Sequence, residues 1–250
     1  MKLLKSLGQY IVVNKKILYK MVRYADLGYE DVVLEVGCGT GRLTRLLLKN
    51  VKKVYGIEID SRFINYLKKI FEEEIKSGRL ELIHGDATKV EFPEFDKFVS
   101  NIPYQISSPI TFKLFKHKFK LAVLMYQREF AERLVAKPGS KKYGRLSVVA
   151  KAYCRAEILD IVPPTAFKPR PKVESAIVRI IPEPEIEVKN KELFEDLVTF
   201  AFSHRRKMFG KILEEWCELK GVEVDISEEL RRKRPEELPP NVFAEIVDQL

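Results

Sequence analysis

Four consecutive residues, Asn101-Ile102-Pro103-Tyr104, combine the types needed to handle an amino group on a flat heterocycle. Asn101 carries a carboxamide with one acceptor and one donor group. Ile102 contributes a backbone carbonyl. Pro103 fixes its own φ and restricts the residue before it, so the corner is stiff. Tyr104 offers an aromatic face. An exocyclic amine held in one plane needs acceptors for its two hydrogens and a ring on which its base can stack. The same residues would equally suit a strand end closed by an Asx-type turn and packed by a tyrosine, so the elements around them have to decide.

Those elements read as alternating strands and helices. Lys97 to Ser100 is a strand that delivers the corner. Further upstream, Asp31 to Val36 is a buried strand, Gly37-Cys-Gly-Thr-Gly41 a tight turn, and Arg42 to Lys49 a helix. Glycines at this junction let the backbone approach a ligand closely. The dinucleotide fingerprint is GxGxxG, but this turn is GxGxG, with Arg42 in place of the last fingerprint glycine. Glu35 just before the turn would repel a pyrophosphate. The pattern Glu35-x-Gly37-x-Gly39-x-Gly41 instead resembles the S-adenosylmethionine motif, whose ligand has no phosphates and carries cationic sulfur and ammonium groups.

A second strand, Val51 to Ile59, brings Glu58 to its end, where an acid can accept both ribose hydroxyls. Asp60 suits the cap of a helix over 61–74. A third strand, Arg79 to His84, precedes Asp86, which is either a turn aspartate or an acceptor for the cofactor's adenine amine. Helices are expected over 15–24, capped by Asn14, and from Ser107-Ser108-Pro109, with a serine cap and Pro109 in the first turn. A strand at Leu121 to Tyr126 leads to a helix at 127–136. The basic loop Lys137–Lys142 then precedes Tyr143-Gly-Arg-Leu-Ser147; the loop is either a solvated turn or a phosphate contact. Two strands, 156–162 and 175–181, flank a Pro-rich connection carrying Phe167, which either plugs a core edge or stacks a flipped base. Beyond Pro182-Glu-Pro-Glu185 the pattern is helical, at 190–203, 205–220, 227–232 and 241–249, with Ser203-His-Arg-Arg-Lys207 as a basic knob. The expected domains are residues 1–183 and 184–250.

Composition sets outer bounds. The chain has 250 residues, 46% of them hydrophobic, enough for a sizeable core. The net charge of +9 is uneven: residues 101–180 hold 16 Lys/Arg against 5 Asp/Glu. That excess follows the Asn101–Tyr104 corner and suits a polyanion such as nucleic acid. Three separated cysteines make neither a disulfide framework nor a zinc site. The apolar runs are too short for a membrane span, and the N-terminus lacks a secretory pattern, so a cytoplasmic protein with no metal is expected.

Taken in order, the motifs are specific where each alone is not. They are Leu7-Gly8-Gln9, Glu35-x-Gly-x-Gly-x-Gly41, Glu58, Asp86, Asn101-Ile-Pro-Tyr104, Tyr143-Gly-Arg-Leu-Ser147, Phe167-x-Pro-x-Pro-Lys-Val-x-Ser175 and Arg205-Arg-Lys207. Across nearly the whole chain this set resembles the small-subunit rRNA adenine dimethyltransferases, the bacterial kasugamycin-resistance methyltransferase and its archaeal and eukaryotic counterparts. The resemblance implies an α/β fold: a Rossmann-like, seven-stranded class I methyltransferase sheet with an antiparallel last strand, and a small helical C-terminal domain. It implies S-adenosylmethionine as methyl donor and N6-dimethylation of two adjacent adenosines in the hairpin loop near the 3′ end of small-subunit rRNA, on an immature ribosomal subunit. By position, Tyr10, Val12, Gly37, Glu58, Asp86 and Asn101 would contact the cofactor or lie beside it, with Glu35 and Gly39 in the same turn. Tyr104 and Phe167 would sandwich the target adenine. At Tyr10 the family usually has Asn or another small polar residue, so this ring would pack over the ligand rather than hydrogen-bond to it. A monomer is expected. A ribosome-assembly factor for which methylation is secondary is the competing reading.

Overall fold

The structure is a computed structural model that describes residues 9–250; Leu7 and Gly8 of the arm motif lie outside the described residues. The chain divides into two units, one of residues up to 131 with 156–182, the other of residues 132–155 with 183–250. Residues 132–155, expected in the first domain, thus pack with the helical unit.

The first unit is built on seven strands. They are β2 (Val32–Val36), β3 (Lys53–Glu58), β4 (Leu80–His84), β5 (Lys97–Asn101), β6 (Leu121–Gln127), β7 (Arg155–Val162) and β9 (Ser175–Ile181). Their spatial order is β4-β3-β2-β5-β6-β9-β7. The strands from β2 to β6 pair in parallel, and β9, the last in sequence, runs antiparallel to β6. This is the expected α/β class I methyltransferase sheet. Parallel strands covered by helices on both faces read as continuous apolar runs, as Leu121–Tyr126 does. The order reverses between β2 and β5, and the crevice beyond the carboxyl ends of strands at such a reversal is where α/β sheets bind ligands. β2, β3, β4 and β5 end there at Val36, Glu58, His84 and Asn101.

A second, two-stranded sheet joins β1 (Ile11–Val12) to β8 (Phe167–Lys168), with Val12 opposite Phe167. Neither strand is legible in the sequence, because two residues show no periodicity. The helix Lys15–Tyr24 follows β1, and the Asn14 side chain accepts from the Lys16 amide at 3.0 Å, as its cap position requires.

Three expected helices differ in detail. The one over 61–74 breaks at Phe71 into Ser61–Ile70 and Glu72–Lys76. Phe71 turns fully into the core, and Glu72, Glu73 and Glu74 then favour a fresh helix N-terminus. Asp60 caps the first piece through Arg62 N, as expected. Ser107 is not a cap: the turn Tyr104–Ile106 already winds helically, so Ser107 is the first residue of the helix and its side chain is buried. The helix expected from 205 starts at Phe209, after a non-helical stretch at 204–208.

The second unit packs the helices Arg145–Lys151, Lys191–Ser203, Phe209–Lys220 and Pro240–Val247 around Phe194, Phe209, Trp216 and Phe243. The Tyr143-Gly-Arg-Leu-Ser147 motif belongs to this core. The buried Tyr143 hydroxyl donates to the Leu238 carbonyl at 2.8 Å, and the Ser147 hydroxyl donates to the Arg133 carbonyl at 2.6 Å. In the basic knob, Arg205 pairs with Glu236 at 3.7 Å and Lys207 with Glu215 at 2.7 Å. No helix among the described residues is long and apolar enough to cross a membrane.

Candidate active site

The glycine turn between β2 and the helix Arg42–Leu47 takes a conformation that side chains resist. Gly37, Gly39 and Gly41 have φ of +78°, +53° and +72°. At Gly37 a Cβ would also meet Pro103 Cγ and Cδ at 3.2 Å, so this glycine lets the turn lie directly against the Asn101–Tyr104 corner. The turn is tied to β3 by the Gly39 amide, which donates to Glu58 Oε2 at 2.9 Å; Glu58 Oε1 accepts from the Asp60 amide at 3.0 Å.

One cavity of about 330 Å³ opens at this place, within the size range of small-molecule sites. Tyr10, Val12, Glu35, Gly37, Gly39, Glu58, Asp86, Asn101, Ile102, Pro103 and Tyr104 all line it. Asp86 is a turn aspartate, its Oδ1 accepting from the Thr88 amide and hydroxyl at 2.9 and 2.8 Å, and it also lines the cavity. Those bonds hold the Asp86 carboxyl below its usual range.

Two buried acids give the cavity its electrostatic character. Burial pushes the Glu35 carboxyl up to about 8, even though the Thr44 hydroxyl donates to it at 2.6 Å, and the neighbouring Glu58 adds to the rise. Burial raises Glu58 as well. Neither acid forms an ion pair among the described residues. A cationic ligand would supply the missing charge. A glycine turn that lets the backbone approach closely and two buried acids without a partner charge therefore fit a cationic ligand such as S-adenosylmethionine. No group of three His, Cys, Asp or Glu side chains among the described residues could hold a metal.

The corner itself is half committed. Asn101 Nδ2 donates to the Tyr10 carbonyl at 2.9 Å, while Oδ1 is buried with no hydrogen-bond partner. A buried acceptor left unpaired costs about 1–3 kcal/mol, so this one is poised for a donor. The Tyr104 hydroxyl is held by Ser175 Oγ at 2.6 Å, which fixes the ring.

Phe167 stands apart. It does not line the cavity; its side chain is 4% exposed and packs in the core with Val12, Leu18 and Met21. Pairing of β8 with β1 places it there, so the core-edge reading is the one the structure shows. Tyr10 takes the place against Tyr104 instead, with ring centroids 5.2 Å apart.

Three cavity residues carry no site role in the sequence alone. Gln9 donates to Asp60 at 2.9 Å and pins the arm to the end of β3. Ile59 and Phe63 follow Glu58 as apolar lining, and Ile59 is 48% exposed. The available signal was positional: each lies within five residues of Glu58 or within the arm motif.

Comparison with known proteins identifies the family. The profile of the family described as "Ribosomal RNA adenine dimethylase" matches residues 1–237. The chain is 46% identical over 254 residues to the probable ribosomal RNA small subunit methyltransferase A of Pyrococcus furiosus, covering 98% of this chain and 91% of that protein. The crystal structure of a dimethyladenosine transferase from Plasmodium falciparum superposes with a TM-score of 0.81 at 37% identity, covering 96% of each chain. The 23S rRNA methyltransferase ErmE superposes with a TM-score of 0.68 at 27% identity, covering 96% of this chain and all of that one. The chain belongs to the ribosomal RNA adenine dimethylase family.

Proposed function

We propose that the protein transfers methyl groups from S-adenosylmethionine to N6 of two adjacent adenosines in the 3′-terminal hairpin loop of small-subunit rRNA. It would act as a cytoplasmic monomer on an immature subunit and so contribute to subunit biogenesis. The observation that carries this reading is the unpaired, buried Oδ1 of Asn101 beside Ile102 and Tyr104, in the cavity that holds the glycine turn, Glu35 and Glu58.

When bound, S-adenosylmethionine supplies an electrophilic methyl group on a cationic sulfur. The protein's part is orientation. Asn101 Oδ1 and the Ile102 carbonyl would accept the two N6 hydrogens, which draws the nitrogen lone pair out of ring conjugation and aims it into the cavity. The same carbonyl dipoles stabilise positive charge developing on N6. No strong side-chain base is needed, because a proton on the charged nitrogen can pass to water. A singly methylated amine retains one hydrogen, and either acceptor suffices to orient it for a second round. Tyr104 would stack the base.

The test is methyl transfer from labelled S-adenosylmethionine to small subunits lacking the modification, followed by nuclease digestion and nucleoside analysis. N6,N6-dimethyladenosine is the expected product. Subunits that bind the protein but accept no methyl would make assembly its primary role.

A further inference from the structure

Beside the cavity lies a second cleft of about 570 Å³, reached through the shared residues Ile11, Leu18, Thr40 and Arg42. Its floor is apolar, with Leu46 and Ile70. Five cations line it, Lys15, Arg42, Arg45, Lys49 and Lys168, and no carboxylate does. All five are exposed, and among the described residues none forms an ion pair. Arg42, Arg45 and Lys49 recur at the spacing that puts them on one side of their helix and its last turn. Tyr19 and Tyr66 stand in the same cleft, 58% and 39% exposed.

Arg45 lies over the Phe71 ring at 4.9 Å, and a cluster of exposed like charges with no carboxylate among them sets up a positive potential that attracts a polyanion. Exposed aromatic rings interleaved with cations match a strand that offers phosphates and unstacked bases together. We propose that this cleft is the track for single-stranded RNA flanking the target base, with phosphates along Arg42, Arg45, Lys49, Lys15 and Lys168 and bases against Tyr19 and Tyr66. The inference rests on the RNA-methylating reading above and adds the path of the strand outside the cavity. Charge complementarity selects RNA over an apolar partner.

The test is fluorescence anisotropy of a short, fluorescein-labelled single-stranded oligoribonucleotide with the full chain, across a KCl titration. For the wild type, log K falls linearly with log salt, with a slope no steeper than about −3.5 if all five cations contact phosphates. Arg45→Ser/Lys49→Ser lies outside the cavity lining; it should flatten the slope by about 1.4 and weaken binding about ten-fold or more near 0.1 M salt. Tyr19→Ala/Tyr66→Ala should weaken binding about five-fold or more with the slope unchanged. Calorimetry with S-adenosylhomocysteine, unchanged in both variants, shows that they are folded. Wild-type affinity and slope in both double variants would overturn the proposal, as would a wild type that does not bind the probe, which would leave an acidic protein surface as the partner. The two readings fail separately. A wild type that binds RNA through these residues but methylates none leaves the track standing and removes the activity. Methylation with RNA binding untouched by the substitutions removes only the track.

Discussion

The ring of Tyr10 rests on the ring of Tyr104, centroids 5.2 Å apart and planes inclined by 29°. The Tyr10 carbonyl also takes the Asn101 Nδ2 hydrogen. One arm residue thus touches both side chains that would hold a target base. Two rings in contact leave no room for a base between them, so a base that stacks on this face of Tyr104 must displace Tyr10. Such an aromatic pair is worth about 0.5–1.5 kcal/mol. Tyr10→Ala keeps the carbonyl and removes the competing ring, so the KM for unmethylated small subunits should fall about two- to ten-fold. A raised KM would show that Tyr10 is a wall of the base site.

Glu35 makes the cavity sensitive to pH. Its carboxyl holds a proton in the folded protein up to about 8, against an ordinary 4.5. Between those values the folded state binds more protons than the unfolded one, so stability falls as pH rises through the window, by at most about 1.4 kcal/mol per unit. A cationic ligand favours the carboxylate, so S-adenosylmethionine affinity should rise with pH over the same range. Glu35→Gln should flatten both profiles, read by thermal unfolding and by calorimetry at stepped pH. Unaltered profiles in that variant would remove Glu35 as their source.

Gly37 couples the cofactor turn to the corner. Alanine there meets Pro103 at 3.2 Å and must adopt a φ of +78°. The left-handed conformation alone costs about 1–2 kcal/mol. Gly37→Ala should lower the melting temperature by several degrees and reduce kcat and cofactor affinity together. A drop confined to cofactor affinity would show that the turn and the corner are independent.

Tyr143 tests whether its motif is structural. Tyr143→Phe leaves the Leu238 carbonyl without its 2.8 Å donor, a loss of about 1–3 kcal/mol. Thermal unfolding should shift down by about 2–4 °C per kcal/mol, with the salt dependence of RNA binding unchanged. A shallower salt slope would instead make the motif an RNA contact.

The strand–turn–helix run through Gly37 to Gly41, the acids at the strand ends and the Asn101–Tyr104 corner were legible because each carries a local pattern: an apolar run, a glycine spacing or a cap. The sheet order was legible only through family resemblance, since strand pairing is non-local. What escaped depends on tertiary contact. Phe167 reads alike as a stacking platform or a core plug until β8 pairs with β1. Helix 61–74 reads as continuous until Phe71 finds its place opposite Gly41. The excursion of residues 132–155 into the helical unit has no marker in composition, because Tyr143 and Ser147 act through carbonyls elsewhere in that unit.

Asn101 bears the greatest weight. Asn101→Ala removes the buried Oδ1 and leaves the glycine turn, Glu58 and Asp86 in place. The decisive measurement compares this variant with the wild type by counting N6,N6-dimethyladenosine formed on unmethylated small subunits, with S-adenosylmethionine affinity measured alongside. The expected result is dimethyladenosine with the wild type, and loss of about 100-fold or more of the rate with nearly unchanged cofactor affinity in the variant, in line with removal of a group that acts on developing charge. Normal turnover by Asn101→Ala would contradict the assignment of the corner as the place where the adenine amine is held.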